Sequence, residues 1–183
     1  MNSVDPIPKG YESITPHIFA INAAEAIEFY KNVFGAVEEH RHTIPGKDGT
    51  EKIVHAVISI RDSKLMLADE FTEMCSEDVS MGEKIGSPKS IGGNSVFLNL
   101  YFENVDEIFD RAQKAGATVI MPLADAFWGD RYGQFKDPYG HIWEVATHKK
   151  DMTNEELTRA AKEAFEQMEE EKNDNKSSAQ SGS

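Results

Sequence analysis

The chain has 183 residues, 39% hydrophobic and 28% charged, enough to bury a core in one domain or two small modules. Its 32 acidic residues outnumber 19 basic ones for a net charge of -13, which argues against a nucleic-acid or anionic-membrane partner, since phosphate binding is driven by Lys and Arg. Cys75 is the single cysteine, so no intrachain disulfide forms; with no basic-then-apolar leader and no run near the ~20 apolar residues of a membrane helix, a cytoplasmic protein is expected.

From Ile14, the segment ITPHIFAINAAEAIEFYKNVFGAVEEHRHTI opens with a strand-like run holding Ile14, Ile18, Phe19 and Ile21. A helical period follows through Ala23, Ala26, Ile27, Tyr30, Val33 and Phe34, with Asn22 at its N-cap and Gly35 supplying the left-handed end. Strands are predicted over Ala36–Thr43, Lys52–Ile60 and Lys64–Asp69, separated by turns at Pro45–Gly49 and Arg61–Ser63. Residues 70–94 are polar, lack a period and contain Cys75; they read as a linker long enough to cover a site.

From Ser95 the order repeats. SVFLNLYFENVDEIFDRAQKAGATVIMP gives a strand, a helix from Asn104 to Gly116 and a further strand over Thr118–Leu123. Arg131–Lys136 and Ile142–His148 complete the second copy. The fold expected is α+β, two βαβββ modules at 11–69 and 95–150 burying their sheets against each other or a second subunit. Thr153 and Glu156 are spaced as a capping box for an amphipathic helix over 153–172, and 173–183 have the composition of a disordered tail.

The chain has no phosphate-cradling glycine loop, nucleophile elbow, CxxC pair or HExxH helix. Chemistry concentrates in FWGDRYGQFKDPYGHIWE, residues 127–144. Asp137-Pro138-Tyr139-Gly140 has the preferences of a type I turn. By alternation Ile142, Glu144 and Ala146 share one strand face, and Trp143, Val145 and Thr147 the other. Glu144 among apolar neighbours needs a partner: Arg131, Lys136, a metal or solvent at a sheet edge. Trp143 reads as core, and Trp128 fits core or pocket equally. Phe127, Trp128, Tyr132 and Trp143 suit a flat apolar pocket with Asp130 or Arg131 at its polar end. His55 reads as a hydrogen-bonded sheet histidine, His40 and His42 as solvated, His141 as exposed in the turn, and His148 as ending its strand.

The duplicated βαβββ order, closed by DRYGQFKDPYGHIWEV, resembles the glyoxalase/bleomycin-resistance/extradiol-dioxygenase group, the vicinal oxygen chelate superfamily. ITPHIFAINAAEAIEFYKNVFGA, LMLADEF, FWGDRYG and THKKDMT look more narrowly like its PhnB-like branch, over about Tyr11 to Asn154. The resemblance implies curved sheets enclosing a cup for a small molecule, often within a homodimer. In catalytic members the cup holds a divalent metal (Zn, Ni, Mn or Fe) on a first-strand histidine and a last-strand glutamate from the modules. Here His17 and Glu144 match those positions as metal ligands. The second module offers Asn99 or Phe97 in place of the histidine, and the first offers Met66 or Leu67 in place of the glutamate.

Two functions follow. One is a binding protein that sequesters a cationic or aromatic compound, with Phe19, Asn99, Phe127, Trp128, Arg131 and Tyr132 as ligand-binding residues. The alternative is a divalent-metal-dependent lyase, isomerase or epimerase using His17 and Glu144, with His17, His55 and Glu144 as acid/base residues and a third ligand from His55, Asn99 or a partner subunit.

Overall fold

A computed structural model describes residues 5–11, 13–47, 49–71 and 86–180, with 171–180 described by backbone alone. Cys75 and most of the predicted linker, 72–85, lie outside the described residues. The first module is β1 (His17–Ala20), α1 (Ala23–Phe34), β2 (Val37–Pro45), β3 (Glu51–Ile60) and β4 (Ser63–Asp69). A short helix, α2 (Pro88–Ile91), lies in the segment read as linker. Ser87 caps it and Pro88 opens it, a helix start that composition alone conceals. The second module is β5 (Phe97–Tyr101), α3 (Val105–Lys114), β6 (Thr118–Asp125), β7 (Asp130–Lys136) and β8 (Ile142–His148). Then α4 runs Asn154–Gln180, past Lys172, where composition predicted a disordered tail. A helix already nucleated at its capping box extends at little cost per residue.

The two sheets have the same topology, β1-β4-β3-β2 and β5-β8-β7-β6, so the repeat read from the sequence is a repeat in space. In each, the first strand runs parallel to the last, and the remaining neighbours are antiparallel. Both helices start at asparagine, but only Asn22 caps with its side chain, accepting from the Glu25 N–H. At α3 the Val105 N–H goes instead to the Thr147 hydroxyl at 2.9 Å, and at α1 the Ala23 N–H goes to buried Asp69. The end of each module's last strand thus anchors the start of its helix.

One hydrophobic core serves both modules. The aromatic side of α1 reaches into the second module: Tyr30 and Phe34 sit 5.2 and 4.6 Å from the Trp143 ring, and Phe34 also meets Phe102 and Phe135. Trp143 and Phe135 are almost fully buried, each contributing on the order of 2–3 kcal/mol of apolar burial. A buried carboxylate locks the junction. Asp137 accepts from the Tyr30 hydroxyl at 2.7 Å, the Trp143 indole N–H at 2.9 Å and the backbone N–H groups of Tyr139 and His141. The Asp-Pro-Tyr-Gly turn therefore does more than reverse the chain. His141, expected exposed in that turn, is buried, and its Nε2 donates to the Phe19 carbonyl of β1 at 3.0 Å. Packing of the turn against the first module removes the histidine from solvent.

With the helices and the shared core on one face of each sheet, the opposite faces stay open. Their side chains are those that alternation places away from Trp143 and Leu67.

Candidate functional site

The open face of the second sheet is organised around Glu144. In the parallel β5–β8 pair Asn99 lies opposite Glu144, and in the antiparallel β7–β8 pair Gln134 does. Both donate to it, Asn99 Nδ2 at 3.2 Å and Gln134 Nε2 at 3.0 Å, and the Tyr132 hydroxyl donates at 2.6 Å. Burial, and then the hydrogen bond to Glu144, push the Tyr132 phenol up to about 12, so it stays a donor at neutral pH. Among the described residues Glu144 has no lysine or arginine partner; its three donors are all neutral.

A second carboxylate borders this cluster. Asp130, at the start of β7, is only 4% exposed and accepts from the Tyr101 hydroxyl at 2.8 Å, the Trp128 indole at 3.0 Å and His148 Nδ1 at 2.7 Å. His148 also bonds Asp151 through Nε2, and these two hydrogen bonds, Asp130 first, raise its pKa. The strand-ending role predicted for His148 misses this, because Asp130 is opposite His148 in register but eighteen residues away in sequence. Trp128 packs edge-on against Tyr132 at 5.1 Å and against Phe127 at 4.9 Å. Trp128 is therefore a half-buried wall of the polar face and Trp143 is core. Arg131 is directed elsewhere: its guanidinium grips Asp106 of α3 with two nitrogens and reaches Asp125, which leaves it unable to serve as the pocket's polar end or as the partner of Glu144. Gln134 and Tyr101 escaped the sequence reading; alternation from Tyr132 and Asn99 was the signal that could have found them.

The open face of the first sheet is different. His17 lies opposite Met66, Met66 opposite Val57, and Val57 opposite His40. His17 stacks on Phe19 at 4.9 Å and meets His55 edge-on at 6.0 Å. Desolvation and then the neighbouring His55 lower the His17 pKa. His55 in turn lies beside His40 and His42. The expectation of a hydrogen-bonded His55 gives way to ring contacts, since neighbouring imidazoles occupy its face.

The matched registers settle the alignment of the modules. His17 opposite Met66 corresponds to Asn99 opposite Glu144, so Phe97 and Leu67 are excluded as the equivalent positions. The four places where the sequence resemblance implies metal ligands therefore hold His17, Met66, Asn99 and Glu144. A thioether and a carboxamide are poor ligands for a hard or borderline divalent ion, and Glu144 is already engaged by three donors. Among the described residues no group of three His, Cys, Asp or Glu side chains is arranged to hold a metal ion. The residues present do not fit the implied metal.

The sequence profile described as Glyoxalase/Bleomycin resistance protein/Dioxygenase superfamily matches residues 13–145. The chain belongs to that superfamily. An uncharacterized protein of Mycobacterium tuberculosis is 40% identical over 148 residues, covering 81% of this chain and 81% of its own length. One from Arabidopsis thaliana is 29% identical over 137 residues, covering 74% and 78%. Among solved structures, protein PA1353 of Pseudomonas aeruginosa has a TM-score of 0.57 at 22% identity, covering 76% of this chain and 99% of its own. The PhnB protein of Bacillus cereus has a TM-score of 0.54 at 21% identity, covering 74% and 99%. At these identities the structures establish the shared fold of this glyoxalase-superfamily chain. No helix among its described residues is long and apolar enough to cross a membrane.

Proposed function

We propose that this superfamily member is a small-molecule-binding protein that holds a compound with a cationic group and a flat apolar part against the open face of its second sheet. The observation that carries this reading is Glu144, a carboxylate fixed by three neutral donors and left without a basic partner among the described residues. A ligand cation supplies the missing charge, and the aromatic faces of Trp128, Tyr132 and Tyr101 favour a cation or flat ring beside it. Asn99 and Tyr132 keep the carboxylate aimed; Phe127 supports Trp128 from behind. In a homodimer, the face of one copy that carries Phe19 and His17 would close the carboxylate-bearing face of the other. The glyoxalase-type metal route gains no support from Met66 and Asn99.

The test is a thermal-shift and calorimetric series with tag-free protein and a cationic planar dye, ethidium, beside a neutral aromatic of similar size. Stabilisation should grow with ethidium concentration, be much weaker for the neutral compound and disappear in Glu144→Gln. Equal binding of both compounds, or undiminished binding by Glu144→Gln, overturns the proposal. So does stoichiometric metal, found by elemental analysis after dialysis, that is lost in Glu144→Ala.

A further inference from the structure

The hydrogen bonds that fix Glu144 also decide which polar groups a bound molecule meets beside it. Glu144 lies in a row across three strands, with Asn99 of β5 opposite it on one side and Gln134 of β7 on the other. A carboxylate accepts and does not donate, so both carboxamides present their nitrogens to it and leave their carbonyl oxygens uncommitted. Gln134 commits both N–H groups, one to Glu144 at 3.0 Å and one to the Tyr132 oxygen at 2.7 Å. The single Tyr132 hydroxyl proton goes to Glu144 at 2.6 Å. Asn99 keeps one N–H beyond the one on Glu144.

The acceptors are less fully engaged. Glu144 Oε1 takes two donors, Tyr132 and Gln134, while Oε2 takes only Asn99 and retains a lone-pair site. Among the described residues nothing donates to Asn99 Oδ1 or Gln134 Oε1. Asn99 is exposed. Gln134 is half-buried, yet solvent reaches its carbonyl, because among the described residues no buried side-chain nitrogen or oxygen lacks a partner. The row therefore presents three open acceptors, Glu144 Oε2, Asn99 Oδ1 and Gln134 Oε1, against one open donor.

We infer, on the ligand-site reading of Glu144, that the cation held there is planar and bears N–H groups, an amidinium or guanidinium, and is not a quaternary ammonium. A quaternary ammonium brings charge without a donor. It would cover the two carbonyls with methyl groups and take away their hydrogen bonds to water without replacing them. An amidinium, like a guanidinium, carries several N–H groups in one plane. Two donors already saturate Oε1, which closes the two-point fork onto a single carboxylate. One N–H goes instead to Oε2 and a neighbouring one to the carbonyl of Asn99 or Gln134, across the ~4.8 Å that separates adjacent strands. The Tyr132 ring, with the Trp128 indole edge-on to it at 5.1 Å, gives the flat part of the molecule an aromatic surface.

Benzamidine and the phenyltrimethylammonium ion carry the same charge on the same ring and differ in N–H donors, so calorimetry of the tag-free full chain with each isolates the donors. Benzamidine should bind about tenfold more tightly, the worth of one hydrogen bond to a charged group. Asn99→Ala, at an exposed position, and Gln134→Met, close in size, should each bring the two affinities together, and Glu144→Gln should abolish both. Equal affinities in the wild-type chain, or tighter binding of phenyltrimethylammonium, overturn the inference; where both are still lost in Glu144→Gln, the cation site itself stands. A benzamidine preference unchanged in both Asn99→Ala and Gln134→Met also overturns it, since the carbonyls then take no part. Binding of ethidium without binding of benzamidine at millimolar concentration overturns it and leaves the broader reading intact, whereas failure of both compounds to bind overturns both.

Discussion

Replacing Asp137 by alanine should cost far more than its small size suggests. The carboxylate is 3% exposed and receives four donors, two from side chains of different modules, Tyr30 on α1 and Trp143 on β8. Removing it strands the Tyr30 hydroxyl and the Trp143 indole, both essentially buried, and each stranded donor costs roughly 1–3 kcal/mol. Relief of the buried charge offsets part of this, so about 4 kcal/mol of destabilisation is expected. Tyr30→Phe is the control. It deletes one donor, leaves the other three on Asp137 and should cost about 1.5 kcal/mol, the worth of one hydrogen bond to a charged group. Burial and then Asp137 raise the Tyr30 phenol well above its ordinary range, so it remains a donor at any working pH. Urea unfolding followed by far-ultraviolet circular dichroism gives both numbers, and the near-ultraviolet signal of Trp143 reports whether the junction loosens first. A cost for Asp137→Ala no greater than that of Tyr30→Phe would refute the argument.

Three further substitutions, one of them read against pH, separate other parts of the reasoning. Gly129 has φ +95°, and an added Cβ would lie 2.3 Å from the Lys150 carbonyl oxygen, whereas Gly35 has φ +69° with open space around it. Gly129→Ala should cost about 3 kcal/mol, backbone strain plus a clash, and Gly35→Ala about 1 kcal/mol of strain alone; equal melting temperatures for the two variants would contradict this. The folded-state pKa of His17 is lowered from 6.5, so the unfolded chain takes up its proton first as pH falls. Its contribution to stability is complete above pH 6.5 and declines as the pH drops through the lowered folded value. His17→Asn should flatten the loss of stability on acidification in urea titrations, and an unchanged or steeper slope would count against the imidazole contact with His55.

The fold was legible because each local signal agreed with the global one. Alternation in β8, the Asp-Pro-Tyr-Gly turn and the matched helix ends all pointed to a repeated βαβββ unit. Pairing register supplied what the sequence lacked. Alternation cannot separate Asn99 from Phe97, which are two residues apart on one strand face; the choice is made by pairing, Asn99 lying opposite Glu144 as His17 lies opposite Met66. Arg131 was misplaced because charge type says nothing about direction: next to Tyr132 in sequence, it points to the opposite face and is held by Asp106. His141 was misread for a related reason. Turns usually face water, but this one is clamped between modules. The Asp130–His148 contact and the triangle of His40, His42 and His55 join residues on different strands, which no local window contains.

The carboxylate that receives donors from both halves bears on the history of the duplication. Once α1 of the first half supplied Tyr30 and Phe34 to the second half's Trp143, neither copy retained a complete interior of its own. A fragment ending near residue 70 would present that aromatic ridge to water, and a fragment starting near residue 95 would leave Asp137 short of a donor. Neither module therefore carries a complete core of its own. The two open faces, each free of this shared interior, differ in chemistry: one carries imidazoles, the other carboxylates and phenols.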